Sequence, residues 1–362
     1  MSGGVILKVL FTFYVPSGGV ETLNKLRCES LQKSGIECHV LYLMPGSGSH
    51  NQASFPVFIT SVDAEIKAVL DTHNYDAIIV TSDYLLLERL RRLGYGRILI
   101  YESQGLGKRS DARDLIIDSV PFLRSYCNAV LIPPTDHLLE LFIEICPWLH
   151  RYVIPNIVDV QSFQYIPGEP PCDPVIAWVG RLETNKNWSE YLKIAHQIRL
   201  HKPDLHLWMF HDPDLAADDQ KEQFNRELQS LGLKDRLSVF TNIPNHIMPV
   251  YYSSIAGSGG FLLSSSITEG FGYAVAEAIC CTCPVLSTDS DGVRSFITHN
   301  ITGKFYPIGN VGAAVNEGLE LMNNLPLREA IRQQGRQHMV SRFGFEQYAH
   351  SFREMLNSFS IF

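Results

Sequence analysis

The sequence has no apolar run of the roughly 18 or more residues that a membrane-spanning helix requires. Its first 13 residues also lack a signal-peptide cleavage pattern. Together these absences set the expectation of a cytoplasmic protein with no transmembrane segment. Charge is sparse as well: 19% of the residues are charged and the net charge is -8, so no basic excess is available to engage a phosphate backbone. Nucleic acid is therefore excluded as the main partner. The dinucleotide fingerprint G-x-G-x-x-G does not occur. Of eight cysteines only Cys280, Cys281 and Cys283 cluster, and no second Cys or His pair at zinc spacing accompanies them. All eight are expected to be small, buried residues of a reduced compartment. His137, His150 and the other histidines show no metal spacing, so neither a metal site nor a bound cofactor is expected.

What is present is an alternation. Val5 to Phe13, Glu37 to Leu43, Asp76 to Thr81, Arg97 to Tyr101 and Ala129 to Ile132 read as strands, with helix-period segments between them. Such alternation implies a parallel sheet covered on both faces, whose ligands bind beyond the carboxyl ends of the strands. Glu102 and Gln104 directly follow one strand and are candidate contacts for a ligand there. At 362 residues the chain is long for one core and is expected to divide in two. Pro167, Pro170, Pro171 and Pro174 crowd a stretch that reads as a stiff linker, after which Val175 to Val179 opens a second set of strands.

The second half is organised around Ser264 to Asp291. Gly260 to Leu263 reads as a strand, Glu269-Gly270-Phe271-Gly272 as a loop, and Tyr273 to Cys281 as a helix. Glycine lets backbone approach a ligand closely, and the amides of an opening helical turn favour an anion such as phosphate. Glu269 in the loop and Glu277 in the helix bracket that cradle, and each can accept two hydrogen bonds from a vicinal diol. The spacing alone is uninformative, because Glu21 and Glu29, Glu29 and Glu37, and Glu346 and Glu354 repeat it. Upstream, Gly180 closes a strand and is followed by Arg181 and Lys186, two cations at a loop mouth. Arginine grips phosphate oxygens bidentately and lysine supplies a point charge.

In context, EGFGYAVAEA followed by a Pro-Val-Leu strand and STDSDGVR resembles the donor-binding signature of family-4 retaining glycosyltransferases of the GT-B fold. Gly180-Arg181-Leu182 with Lys186, Gly18-Gly19-Val20-Glu21, and Ile154-Pro155-Asn156-Ile157-Val158-Asp159 also resemble family segments, the last with Ile157 where a glycine is usual. The resemblance implies an α/β fold of two Rossmann-like doubly wound domains facing a central cleft. It implies an acceptor-side domain over 1–158, a linker over 159–173, a nucleotide-sugar domain over 174–344, and a last helix over 345–362 that crosses back to the first domain. It implies a metal-independent hexosyltransferase that uses a nucleoside diphosphate sugar as co-substrate, with UDP carried as a prior. Arg181 and Lys186 would bind the donor diphosphate, Glu269 the transferred sugar and Glu277 the ribose. Gly18, Gly19, Gly270, Phe271 and Gly272 would line the donor.

Two further departures stand out. The histidine usual near the sugar in the first domain is missing, and His211-Asp212-Pro213 replaces a glycine-rich turn. The acceptor, whether small molecule, glycan or lipid-linked, is not readable. Arg89, Arg91, Arg92, Arg97, Lys108, Arg109 and Arg113 leave a peripheral membrane contact open, although interleaved acids favour a solvated face. A nucleotide-sugar epimerase of the same architecture and a non-catalytic sugar-nucleotide-binding subunit remain alternative readings.

Overall fold

The structure is a computed structural model that describes residues 7–46, 48, 53–107, 109–213 and 216–359. Val5, Ile6 and Lys108 lie outside the described residues. The chain forms two compact units, one of Met1–Val158 with Phe343–Phe362 and the other of Asp159–Arg342.

The first unit is built on strands β1 (Lys8–Phe13), β2 (Glu37–Tyr42), β3 (Val57–Ile59), β4 (Ala77–Thr81), β5 (Ile98–Glu102), β6 (Ala129–Ile132) and β7 (Arg151–Val153). They pair in the order β3-β2-β1-β4-β5-β6-β7, and every pairing is parallel. Strands such as Ala77–Thr81 are buried from end to end, which is why they read as continuous apolar runs rather than as an alternation. The short edge strands β3 and β7 were not expected, because three partly exposed residues carry too little pattern to be seen.

The second unit holds β8 (Val175–Val179), β9 (His206–His211), β10 (Leu237–Thr241), β11 (Phe261–Ser264), β12 (Val285–Thr288) and β13 (Lys304–Tyr306), in the order β10-β9-β8-β11-β12-β13. Its strands are also all parallel. Strand order reverses between β1 and β4 in one sheet and between β8 and β11 in the other. Neighbouring strands whose connections leave in opposite directions open a crevice at their carboxyl ends, and that crevice is where such sheets take ligands.

The last helix, Phe345–Asn357, belongs to the first unit. Phe352 packs its ring 5.7 Å from Phe11, and the Ser30 hydroxyl donates to the Phe345 carbonyl at 2.6 Å. Residues 159–173, read as a linker, are held to the second unit by Arg336, which donates to the carbonyls of Val160 and Phe163. The cysteine expectation needs correcting at two positions: Cys172 is exposed on the proline-rich segment and Cys127 is only partly covered. All eight cysteines are free thiols.

Candidate functional site

The second unit places its candidate residues at the switch point. Arg181 follows β8, Glu269 follows β11, and two loops are stitched together between them. The Asn185 side-chain amide donates to the Thr268 carbonyl and accepts from the Thr268 amide, while the Ile267 amide donates to the Asn185 carbonyl at 2.8 Å. Ser265 adds a second tie, accepting from the Trp178 indole and donating to the Asn187 carbonyl. These bonds fix the 3₁₀ turn Thr184–Lys186 and aim Lys186 across the crevice. Its Nζ lies 2.6 Å from Glu269 Oε1, and the Ser266 hydroxyl donates to the same oxygen at 2.7 Å. The pair is well covered, with side-chain exposures of 23% and 11%, so it is shielded from solvent screening in a way surface pairs are not.

A cavity of about 390 Å³ opens beside this pair, within the size range of small-ligand sites. Arg181, Lys186, Asn245 and Glu277 are among its polar lining, with His211, Asp212 and Asn242, and Phe210, Phe240, Ile243 and Met248 form an apolar wall. Phe210 and Phe240 stack at 4.8 Å, with Tyr251 edge-on to Phe210. Arg181 is more than half exposed and leans on Glu183 at 3.2 Å. Glu277 is buried and has an Asn245 amide as donor at 3.3 Å. Burial pushes its carboxyl up to about 8; the Asn245 bond works against that shift and the Asp159 carboxylate adds to it. An acid held this far from its ordinary range is poised to change charge when a partner arrives.

The glycine loop is shaped by two close approaches. Gly272 adopts φ +84 immediately before the helix Tyr273–Cys280, a left-handed conformation that costs glycine little. A Cβ on Gly292, in the turn that follows β12, would lie 2.3 Å from the Glu269 carbonyl oxygen and 2.6 Å from the Gly270 carbonyl carbon. Backbone thus packs directly on backbone beneath the loop. Gly292→Ala is expected to displace Glu269 and Gly270 and to weaken ligand binding at the crevice at least tenfold with little loss of secondary structure; calorimetric titration beside far-UV circular dichroism would measure both.

Of the sequence candidates in the second unit, Arg181, Lys186 and Glu277 line the cavity, Glu269 joins them through its ion pair with Lys186, Gly270 and Gly272 lie in the loop that follows Glu269, and Phe271 is buried against Phe296 and Tyr273. The other four lie at carboxyl strand ends of the first unit. Gly18 and Gly19 open the helix Gly18–Lys33 after β1. Glu102 and Gln104 differ from the open contacts expected of them. Both Glu102 oxygens take Arg27 Nη1 at 2.8 Å, Thr81 donates to Oε2 at 2.6 Å, and Gln104 donates to Oε1 at 3.2 Å. Gln104 is in turn locked to Asn156 by reciprocal amide bonds. With Glu102 only 2% exposed and its lone pairs engaged, the structure gives it an ion-pair role that ties the first helix to β5. Burial works against the Arg27 charge and Glu102 more than offsets it, holding the guanidinium above its ordinary value. Arg27→Ala is expected to cost about 3–5 kcal/mol of stability by stranding a buried carboxylate, read as a lowered urea midpoint with an unchanged m-value.

Sequence reasoning missed Asn245, Ser266 and Arg27. Ser266 lies inside the stretch Ser264 to Asp291 and Asn245 outside the segments singled out, and only their hydrogen bonds mark them out. The basic run is largely neutralised: Arg89 pairs with Asp63, Arg97 with Asp76, Arg109 with Glu140 and Arg113 with Glu144. Among the described residues no helix is long and apolar enough to cross a membrane.

Two doubly wound parallel sheets, one in each unit, define the class: the chain has the GT-B fold of glycosyltransferases. Residues 161–338 match the family model described as glycosyl transferases group 1. The chain is similar to a 2-deoxystreptamine N-acetyl-D-glucosaminyltransferase of Niallia circulans, 24% identical over 46% of this chain and 41% of that protein. It is similar also to the trehalose synthase of Thermococcus litoralis, 23% identical over 52% of this chain and 45% of that one. In both cases the match spans less than half of the relative's length. Among solved structures, Anabaena HepE in complex with UDP and glucose superposes with a TM-score of 0.79 at 17% identity, covering 97% of this chain and 100% of that chain; this likeness is one of fold.

Proposed function

We propose that the protein transfers a sugar from a nucleoside diphosphate sugar to a hydroxyl acceptor, with retention of configuration and without a metal ion. The observation that carries this reading is the Lys186 ammonium, seated 2.6 Å from Glu269 at the carboxyl ends of β8 and β11 and shared with the cavity that Glu277 lines. The difficulty in such a transfer is negative charge building on the departing diphosphate. Lys186 and the opening amides of the helix Tyr273–Cys280 are held in place before that charge appears, with Arg181 at the exposed rim, so they favour the transition state over the bound substrate. Two side-chain cations and a helix terminus supply the countercharge that a divalent ion would otherwise bring.

Glu269 then accepts from hydroxyls of the transferred sugar and Glu277 from the ribose diol, while the wall of Phe210 and Phe240 suits a planar base. Retention follows if the acceptor attacks from the leaving-group side and a donor phosphate oxygen takes its proton. This route needs no side-chain base, which agrees with the engagement of Glu102 in its ion pair. The HepE structures solved with UDP and with UDP-glucose make a uridine nucleotide the first donor to test.

A thermal-shift panel of nucleoside diphosphates and their sugars tests the reading, since a ligand of the folded state raises Tm by mass action. We expect one base to stand out and its sugar conjugate to be slowly hydrolysed by the purified protein. No shift with any nucleotide at millimolar concentration would overturn it.

A further inference from the structure

We propose that the first unit carries a binding site for a borderline divalent cation such as Zn²⁺, formed by Glu37, His39 and His73, at the end of the sheet remote from Glu102. Among the described residues these three bring one ligand atom each to within 4.8 Å of one another. Glu37 and His39 sit two apart on β2 and so project from the same face of the strand. Their ligand atoms, Oε1 and Nε2, are already 3.2 Å apart. Tetrahedral coordination with bonds of about 2.0–2.1 Å requires ligand atoms about 3.3 Å apart, so two corners stand in place. His73 is the last residue of the helix Asp63–His73 and its ring lies 4.5 Å from that of His39, edge to face. It is half-buried at a helix end, so closing the remaining distance calls for a shift of a side chain that keeps one face toward solvent.

The surroundings match what metal-bound imidazoles need. His39 is 2% exposed, and its Nδ1 is 2.7 Å from the hydroxyl of Tyr75, itself 1% exposed. If the hydroxyl accepts the Nδ1 proton, the Nε2 lone pair faces Glu37, the orientation that a buried partner gives a ligating histidine. Phe58 packs against both imidazoles, 5.9 Å from His39 and 5.4 Å from His73, and provides an apolar shell. The Lys8 ammonium now holds Glu37 Oε1 at 3.2 Å from a side chain 35% exposed, so a divalent ion would displace a cation that can retreat into water. Two nitrogens and one carboxylate oxygen suit Zn²⁺ better than Mg²⁺ or Ca²⁺, which prefer oxygen throughout. Three protein ligands leave one position for water.

Glu37 opens β2, whereas Glu102 closes β5, so the cation site is at the amino ends of the strands and takes no part in chemistry at the carboxyl ends. Its role is to pin β2 to the turn between the helix Asp63–His73 and β4. The inference is independent of the donor reading above.

Full-length protein stripped with a chelator would be titrated with Zn²⁺ against a chromophoric competitor, and with Co²⁺ for visible absorption of tetrahedral type. We expect one tight equivalent, a rise in Tm on loading, and loss of both in His73→Ala and in the isosteric Glu37→Gln. Tyr75→Phe is expected to weaken binding by about 10- to 100-fold. His350→Ala, at an exposed residue of the last helix, is expected to bind as the parent does. The proposal fails if the parent takes up no tight equivalent, if His73→Ala retains it, or if His350→Ala abolishes it.

Discussion

Lys186→Ala is expected to reduce turnover of a nucleoside diphosphate sugar by on the order of 10²–10³, about 2.7–4 kcal/mol of transition-state stabilisation, the amount that one preorganised donor to a developing oxyanion contributes. The loss exceeds that of a surface lysine because the ammonium is three-quarters covered and its position is set by the Asn185 and Ser265 stitches rather than by its own flexible stem. Removing it also leaves Glu269 with only the Ser266 hydroxyl bonded to Oε1 in place of a cation, so a carboxylate would then face the incoming diphosphate unneutralised. Adding Glu269→Gln to Lys186→Ala should therefore restore part of the nucleoside diphosphate affinity that the single substitution loses, even if turnover stays low. Steady-state kinetics with calorimetric titration of the nucleotide separates the two effects. Affinity and turnover both within twofold of the parent would remove Lys186 from the donor site. Arg181→Ala should cost less, because its guanidinium is more than half exposed and leans on Glu183.

The second large effect concerns protons. With the Glu277 carboxyl pushed up to about 8 by burial, most molecules without nucleotide carry it protonated at pH 7. A ribose diol donating two hydrogen bonds favours the ionised form. Nucleotide binding at pH 7 should therefore release close to one proton, and affinity should rise about tenfold per pH unit below 8. Calorimetry at pH 7 in buffers of differing ionisation enthalpy counts the protons directly, and Glu277→Gln should release none.

Stability follows with a definite sign. The folded value lies above the unfolded one of about 4.3, so the folded state binds more protons between the two. The contribution of Glu277 is thus fully present below the unfolded value and is lost as pH rises through 8. Relative to the parent, Glu277→Gln should gain a few kcal/mol between pH 5 and pH 9 in urea unfolding. A difference independent of pH would show that the carboxyl is not displaced.

Much of this architecture was readable along the chain because its causes are local. The runs Asp76 to Thr81 and Val175 to Val179 are largely apolar since both sheet faces are covered, and they agree with the strands found to within one residue. The loop Glu269 to Gly272 announces itself because a helix that opens on glycine needs that residue at that place. Arg181 and Lys186 stand in one short motif after one strand. The histidines gave no such signal, because His39 and His73 are ordinary in their own segments and the pattern of ligand spacing does not extend from a strand to the end of the next helix.

Sequence alone thus determined the two doubly wound halves, the switch-point loops and the chemical types of the donor candidates, all of which depend on neighbours within a few residues. Tertiary structure decided which of them act together. It gave Lys186 to Glu269, drew Glu277 beneath the surface so that its proton is retained, took Glu102 out of reach by closing Arg27 over it, and brought Glu37, His39 and His73 to one point. Each of these outcomes is set by burial and by the distance between charges, and both are properties of packing that no stretch of chain carries by itself.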